Sequence, residues 1–249
     1  MAATSKSIEL LVNGEAIAGT LLAPAPRMPG ILFVHGWGGS QERDMQRGRH
    51  IAGLGCVCLT FDLRGHEKTQ LQKQTVTRAH NLEDMLVAYD HLIQHPATDP
   101  ERIAVIGTSY GGYLATILTT LRPVRWLAMR VPALYWDHEW DLPKQRLNRQ
   151  QLMDYRQTLL GPQDNQALAA CAAFAGDVLI VESEHDEHVP HTTIMNYRSS
   201  FRRAHSMTHR IIDGADHGLS AEHCQQAYTS ILTAWISEMI IGDRIGHLR

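Results

Sequence analysis

The sequence predicts an α/β fold in which a mostly parallel central sheet is covered by helices on both faces. Short apolar runs, typical of buried strands, alternate along the chain with segments whose apolar residues recur at helical spacing. The chain has 249 residues, and no Pro/Gly/Ser-rich or charged linker divides it. We therefore expect one domain over residues 1–249.

The composition argues against several classes of partner. A formal net charge of -3 without a basic run gives no footprint for nucleic acid or an anionic membrane. No apolar stretch reaches the length of a membrane span, and the N-terminus lacks a signal-peptide core. The four cysteines form no Cys-x-x-Cys pair, which is typical of a reduced protein. We expect a cytoplasmic protein without nucleic-acid or membrane partners. The sequence does not indicate the oligomeric state.

The first half of the chain opens with a predicted antiparallel hairpin. Asn13-Gly14 separates residues 8–12 from residues 15–22, and this dipeptide is a strong hairpin signal. Continuous apolar runs then predict buried strands over residues 31–34, 56–61 and 103–106. A helix is expected between Ser40 and Gly55. A second helix has a clean apolar stripe of Leu82, Met85, Leu86, Tyr89, Leu92 and Ile93.

The second half continues the alternation, with one interruption. Strands are predicted over residues 126–131, 178–181 and 210–213, with helices over residues 194–201 and along the C-terminal stretch. Residues 135–161 break the pattern with three aromatic residues, followed by a polar, Arg-rich, helix-like stretch through residue 160.

Residues 135–161 are either a lid over a pocket or a loop packed for stability. Their position after a strand favours the lid, with Tyr135, Trp136 and Trp140 exposed and available to substrate. The basic residues of this stretch are interpreted as a solvated helix face rather than a site for an acidic substrate. They are Lys144, Arg146, Arg149 and Arg156.

Residues 103–112 predict a nucleophilic serine. A buried strand runs into Gly-Thr-Ser-Tyr-Gly at residues 107–111, which matches the Gly-x-Ser-x-Gly pattern, and a helix-like segment follows. On such a turn the serine backbone is strained, and the flanking glycines let neighbouring backbone pass closely. The helix N-terminus beneath the turn favours negative charge near the hydroxyl. Ser109 is therefore the candidate nucleophile.

A serine nucleophile needs a general base, and the base needs an orienting acid. His217 follows the last predicted strand, at the edge of the sheet where Ser109 is expected. The loop after the strand at residues 178–181 carries several carboxylates. Asp186, just ahead of Val189-Pro190, is the first choice for the acid, and Glu184 is the second. The resulting chain order is serine, acid, histidine.

Five segments stand in a characteristic order: His35-Gly-Trp-Gly-Gly39, Asp62-Leu-Arg-Gly65, Gly107-Thr-Ser-Tyr-Gly111, Glu184-His-Asp186 with Val189-Pro190, and Gly214-Ala-Asp-His217. In this order they resemble the segments of the α/β-hydrolase superfamily, in its branch of compact serine esterases and dienelactone-hydrolase-like or acyl-peptidase-like proteins. The resemblance implies an α/β-hydrolase fold and an oxyanion hole formed by the backbone N–H groups of Trp37 and Tyr110.

Two positions depart from the pattern of that superfamily. Ser183 stands where glycine is frequent, which we expect to be harmless. His66-Glu67 follow the second segment, where a small residue and a glycine are usual. We expect the second departure to narrow or polarise the pocket.

These residues predict a serine hydrolase that cleaves carboxylic esters of small to medium acyl groups through an acyl-enzyme. An amidase or acyl-peptidase would use the same triad, and a small-molecule-binding protein with a vestigial triad is the alternative from another class. No cofactor is implied. His185, His188 and His191 are spaced by three, but Pro190 interrupts any helix that would align them, so we expect no metal site.

Overall fold

The central sheet carries the strand ends at which the site is expected. The computed structural model describes residues 3–12, 15–24 and 27–246, with side chains for residues 27–243. The strands of the sheet are β3 (Met28–Val34), β4 (Val57–Phe61), β5 (Thr98–Thr108), β6 (Trp126–Arg130), β7 (Asp177–His185) and β8 (Ser206–Asp216). Within the described residues they pair in parallel, in the order β4-β3-β5-β6-β7-β8. The predicted mostly parallel sheet is confirmed.

Two N-terminal strands stand apart from this sheet. β1 (Ala3–Val12) and β2 (Glu15–Pro24) pair antiparallel as a separate two-stranded sheet. The expected turn at Asn13-Gly14 lies outside the described residues. The N-terminal hairpin therefore stays a prediction.

Helices cover both faces of the sheet. The helices are α1 (Glu42–Ala52), α2 (Arg78–Gln94), α3 (Tyr110–Leu118), α4 (Arg149–Arg156), α5 (Gln166–Ala173), α6 (His191–Ser200) and α7 (Glu222–Gly246), with 3-10 turns at Glu67–Gln74 and Lys144–Arg146. α1 and α7 pack on one face, and α2, α3, α5 and α6 pack on the other. No helix in the described part of the chain is long and apolar enough to cross a membrane.

The buried strands explain why both faces need cover. Ile31, Leu32, Phe33 and Val34 in β3 are at most 1% exposed, although alternate side chains point to opposite faces. Two apolar clusters result, one on each face of the sheet. The C-terminal ends of all six strands then lie at one edge of the sheet, where loops can bring distant residues together.

Two strands begin earlier than the apolar pattern predicts. β5 begins at Thr98, and its polar first residues pair with Met28 and Pro29 ahead of a register shift. β8 begins at Ser206 and is an edge strand. Within the described residues its backbone pairs with a neighbouring strand, β7, on one side only. Edge positions tolerate polar residues, so the hydrophobic pattern there does not mark the true start.

The region at residues 135–161 is less helical than its composition predicts. The predicted helix-like stretch contains a 3-10 turn at Lys144–Arg146 and the short helix α4. Asn148 sets the start of α4, because its side-chain oxygen accepts hydrogen bonds from the N–H groups of Gln150 and Gln151.

Replacing Gly111 by alanine should destabilise the fold. A Cβ atom there would lie 2.2 Å from the carbonyl oxygen of Val34 and 2.6 Å from that of His35. Backbone atoms cannot easily move aside, so the free energy of unfolding should fall by about 2–3 kcal/mol. The corresponding drop in melting temperature is roughly 5–10 °C, measured by scanning calorimetry.

Gly242→Ala in α7 is the matched control, because no atom lies within 4 Å of a Cβ atom at that position. Alanine favours a helix over glycine by about 1 kcal/mol, so this variant should hold or raise the melting temperature. Equal melting temperatures for the two variants would contradict the close approach at Gly111.

Candidate active site

Ser109 lies on a strained turn between β5 and α3. Its backbone has φ 52° and ψ -112°, a left-handed conformation that a residue with a Cβ atom rarely adopts. The turn is held from two sides: the N–H of Ser109 donates to the carbonyl of Arg130 at 2.9 Å, and its carbonyl accepts from Ala133 at 3.0 Å. Gly107 is needed because a Cβ atom there would lie 2.6 Å from the carbonyl oxygen of Gly111.

The structure brings Asp186 and His217 together across two loops. His217 Nδ1 lies 2.7 Å from Asp186 Oδ2, and the Asp186 side chain is 3% exposed. The other carboxylate oxygen accepts the N–H groups of His188 and Val189, each at 2.8 Å. Burial opposes the negative charge, but the hydrogen bond with His217 and the two N–H groups outweigh it, so the pKa of Asp186 is lowered.

Glu184, the second choice for the acid, points elsewhere. Its Oε2 accepts the N–H of Gly214 at 2.6 Å, which ties the loop after β7 to the end of β8. Glu184 is therefore engaged with the backbone of the neighbouring strand, and Asp186 is the carboxylate that contacts His217.

Ser109 and His217 line one cavity of about 640 Å³. Among the described residues the Ser109 hydroxyl and the His217 ring form no direct hydrogen bond. Since Asp186 occupies Nδ1, Nε2 is the ring nitrogen left for a second partner. A missing hydrogen bond between nucleophile and base is common in sites without a ligand, because this bond often forms only when the substrate is bound.

Arg130, which the sequence analysis did not single out, connects the two loops. Its carbonyl accepts the N–H of Ser109, while its side chain donates to the carbonyl of His217 at 2.9 Å and to the hydroxyl of Ser183 at 3.3 Å. The residue is 5% exposed. One residue at the end of β6 therefore fixes the serine turn and the histidine loop relative to each other. In the sequence, the signal for this role was an arginine at the end of an otherwise apolar strand.

The loop at residues 35–39 carries Trp37, one of the two expected oxyanion residues. The N–H groups of Trp37 and Tyr110 have no hydrogen-bond partner within the part of the chain that the structure describes. The N–H of Gly38 donates to His66 Nε2 at 2.9 Å, and the N–H of Leu63 donates to His35 Nε2 at 3.0 Å. Two imidazoles therefore fasten this loop to the turn after β4.

His66 acts in the neutral form. Its Nδ1 lies 3.1 Å from the carbonyl of Leu63, so Nδ1–H donates there and Nε2 accepts from Gly38. Burial, followed by the neighbouring His35, lowers the pKa of His66 to about 4. His66 also contacts the Trp37 ring edge-on, with centroids 4.8 Å apart. His66, which departs from the superfamily pattern, therefore supports the loop that carries Trp37.

The three aromatic residues proposed for the lid lie away from this cavity. Tyr135 and Trp136 are 3% and 8% exposed rather than open to solvent, and Trp140 is half-buried. None of the three is among the described residues that line the cavity with Ser109. Arg78 donates to the carbonyls of Trp136 and His138, which holds the start of this segment against α2. The lid and a substrate-binding role for these residues stay predictions.

Two of the four basic residues assigned to a solvated face contact protein groups instead: Arg156 is buried, and Lys144 is half-buried against aromatic rings. The Lys144 ammonium lies over the rings of Trp37, Tyr110 and Tyr135, at 4.4, 4.9 and 5.1 Å from their centroids. Arg156 is 8% exposed and donates to the carbonyls of Leu134 and His188. The solvated interpretation is wrong for these two, because aromatic rings and main-chain carbonyls replace water around them.

The site shows no ready-made metal centre. Within the described residues, no group of three or more histidine, cysteine, aspartate or glutamate side chains is arranged to hold a metal ion. The chemistry on hand is that of a hydroxyl, an imidazole, a carboxylate and free backbone N–H groups.

Comparison with known proteins shows the family and the fold of the chain. Residues 46–242 match the sequence model of the prolyl oligopeptidase family. No curated protein matches the sequence. Dienelactone hydrolase from Anabaena variabilis is similar in structure, at 18% identity and a TM-score of 0.60, over 94% of this chain and 97% of the other. Est1E from Butyrivibrio proteoclasticus has 17% identity and a TM-score of 0.65, over 94% and 99%. These likenesses confirm the expected α/β-hydrolase fold.

The stability of the protein should fall in mild acid because of His66. The unfolded chain protonates this imidazole near pH 6.5, whereas the folded protein resists protonation until about pH 4. Between these values the unfolded state binds the extra proton. The free energy of unfolding should therefore fall by up to about 1.4 kcal/mol per pH unit from this group.

Urea unfolding of the wild type and His66→Gln between about pH 7.5 and pH 4.5 measures the effect. Glutamine keeps an acceptor for Gly38 but does not titrate, so the variant should lose this part of the slope. His50→Gln, at an exposed position in α1, should keep the wild-type slope. Identical slopes for wild type and His66→Gln would show that His66 is not held neutral.

Proposed function

The chain belongs to the prolyl oligopeptidase family, and from this premise we propose that it is a serine hydrolase that cleaves carboxylic esters. The hydrogen bond between Asp186 and His217, at the cavity that also holds Ser109, carries the proposal. A hydroxyl, an imidazole and a buried carboxylate in this relation are the parts that acyl transfer by a serine requires.

In the proposed reaction Ser109 Oγ attacks the ester carbonyl while His217 Nε2 takes the hydroxyl proton. Asp186 keeps the proton of His217 on Nδ1 and stabilises the imidazolium that forms. The imidazolium then gives its proton to the departing alcohol, which leaves an acyl group on Ser109. Water, activated by the same imidazole, releases the acid and regenerates the enzyme.

The backbone N–H groups of Trp37 and Tyr110 are proposed to bind the oxyanion. Both lack an internal partner among the described residues, so both are available to a ligand. Tyr110 begins α3, whose dipole adds to the stabilisation of negative charge. His66 and His35 hold the Trp37 loop through Gly38 and Leu63, so this donor is pre-organised before substrate binds.

The size of the cavity supports substrates of modest length. A volume of about 640 Å³ accommodates a small to medium acyl or alcohol group. A second candidate is an amidase or acyl-peptidase, favoured by the match to the prolyl oligopeptidase family. It would use the same residues and would still hydrolyse activated esters, because their leaving groups depart more easily.

Ser109→Ala should abolish hydrolysis of 4-nitrophenyl esters. Removing the nucleophile of such a triad lowers turnover by about 10⁴-fold or more. Initial rates with acyl chains from acetyl to long-chain esters, for wild type and variant side by side, test the proposal and measure the length that the site accepts. Comparable rates for the two proteins would overturn it. Wild-type inactivity on every ester would favour an amidase or a binding protein, and amide substrates would decide between them.

Asp186→Asn and Glu184→Gln separate the two acid candidates. Asparagine cannot hold the His217 tautomer, so kcat should fall by about 10⁴-fold in Asp186→Asn. Glutamine at residue 184 can still accept the N–H of Gly214, and Glu184 does not contact His217. Its kcat should stay within about tenfold of the wild type. A larger loss in Glu184→Gln than in Asp186→Asn would reverse the assignment.

A further inference from the structure

The cavity beside Ser109 is lined by charged groups rather than by an apolar surface. Three arginines contribute from two elements: Arg43 and Arg47 from α1, and Arg130 from the end of β6. Arg47 and Arg130 are buried, at 9% and 5% exposure, so they form the floor. Exposed Glu42 and Glu67 lie among the lining residues at the rim. The exposed Arg43 lies with them, and the buried Asp44 also lines the cavity, so the buried part holds two arginines and one carboxylate.

Arg47 and Arg130 share one aromatic ring. Their guanidinium carbons lie 4.8 Å and 5.7 Å from the centroid of the buried Tyr228 ring. Two like charges on one ring, in a setting that water hardly reaches, repel each other more strongly than they would in solvent. They persist only where anions or polar groups compensate them.

The buried carboxylate that contacts this pair directly, within the described residues, is Asp44. Asp44 is buried and accepts a hydrogen bond from Arg47 Nη1 at 3.2 Å. Burial raises the pKa of Asp44, against the opposing effect of Arg47, so its negative charge is weakened rather than reinforced. Among the described residues Arg130 forms no salt bridge within 4 Å; it donates to a carbonyl and a hydroxyl, and the charges of Asp186 and Asp44 act on it from a greater distance.

Unused donor capacity remains at this floor. The Nε–H of Arg47 is buried and has no hydrogen-bond partner in the described part of the chain. That Nε–H is closed off from the cavity, but Arg47 itself lines the cavity, so a carboxylate or phosphate oxygen bound there would meet the open part of its guanidinium. The N-terminal turn of the eleven-residue helix α1 lines the same cavity and adds the positive end of its dipole.

We propose that this floor binds a carboxylate carried by the substrate, a few bonds from the scissile carbonyl, with Arg47 as the specificity-determining residue. The inference rests on the proposed ester hydrolysis and names its substrate class: esters of which either the acyl or the alcohol part bears a free carboxylate. Arg130 adds positive charge there while it holds the His217 loop.

Matched ester pairs test the proposal. For the acyl side, 4-nitrophenyl hemiglutarate is compared with its neutral methyl ester. For the alcohol side, 4-acetoxybenzoate is compared with methyl 4-acetoxybenzoate. Spontaneous hydrolysis is subtracted with Ser109→Ala. We expect the wild type to prefer the anionic member of at least one pair by about tenfold or more in kcat/KM, since hydrogen bonds to charged groups are strong. The ester pair that shows the preference indicates whether the substrate carries its carboxylate on the acyl part or on the alcohol part.

Removing a positive charge and removing a negative charge from the floor should shift that preference in opposite directions. Arg47→Gln should lower the ratio of anionic to neutral kcat/KM by about tenfold, mainly through KM, and Arg47→Lys should retain part of it. Asp44→Asn, which removes the competing carboxylate, should raise the ratio. Arg49→Gln, at an exposed position of α1 that does not line the cavity, is the control and should leave both rates unchanged. Melting temperatures check that each variant is folded.

The outcomes separate this inference from the proposed function. Ser109-dependent hydrolysis of neutral esters, with no anionic preference in either pair and no shift in any variant, would overturn the carboxylate site and leave the esterase intact. If no ester is hydrolysed, calorimetric binding of monomethyl glutarate to Ser109→Ala decides the matter. Binding that Arg47→Gln abolishes supports the site, and absence of binding overturns it.

Discussion

The strained backbone of Ser109 is the constraint on which the remainder of the active site depends. A serine at φ 52° persists because neighbouring groups leave it no alternative. Its N–H and carbonyl are hydrogen-bonded to Arg130 and Ala133 on the next strand and loop. Gly107 and Gly111 allow backbone to pass where any side chain would collide. The same turn begins α3, so the position of the hydroxyl and the direction of the helix dipole are set together.

A parallel sheet then converts this local turn into a site. Because β5, β6, β7 and β8 are neighbours and run in the same direction, the loops after them meet at one edge. Asp186 and His217, 31 positions apart in sequence, meet there at 2.7 Å. On the other side, β3 and β4 bring the loop of Trp37 against His66. Pairing order in the sheet thus decides which loops can cooperate.

Elements that are encoded locally could be predicted from the sequence. Buried strands, the glycine-flanked turn and the amphipathic helix α2 leave signals within a dozen residues, so their existence and order could be predicted. Contacts between distant elements leave no such signal. The packing of Arg156 and Lys144 depends on carbonyls and rings from other loops, and composition alone suggested a solvated face. His66 was visible as a departure, but its role as acceptor for Gly38 required three-dimensional geometry.

Buried arginines form a second layer that supports these loops. Arg78 donates to the carbonyl of Trp136, Arg156 to that of His188, and Arg130 to that of His217. Each guanidinium thereby satisfies main-chain oxygens in irregular segments, where no helix or strand would do so. Their hydrogen bonds go to carbonyls and hydroxyls rather than to carboxylates, so each arginine positions a loop through neutral main-chain and hydroxyl oxygens.

Arg130 also bears on the proposed chemistry. In the proposed reaction, an anion that forms at Ser109 lies in the cavity that Arg130 lines. In a partly desolvated site such fixed charges favour negative charge without reorganising during the reaction. The groups that hold the loops in place therefore also set the electrostatic potential in which an oxyanion would form. Arg130, which lines the cavity and holds the His217 loop, thus links the stability of this loop to the polarity of the proposed site.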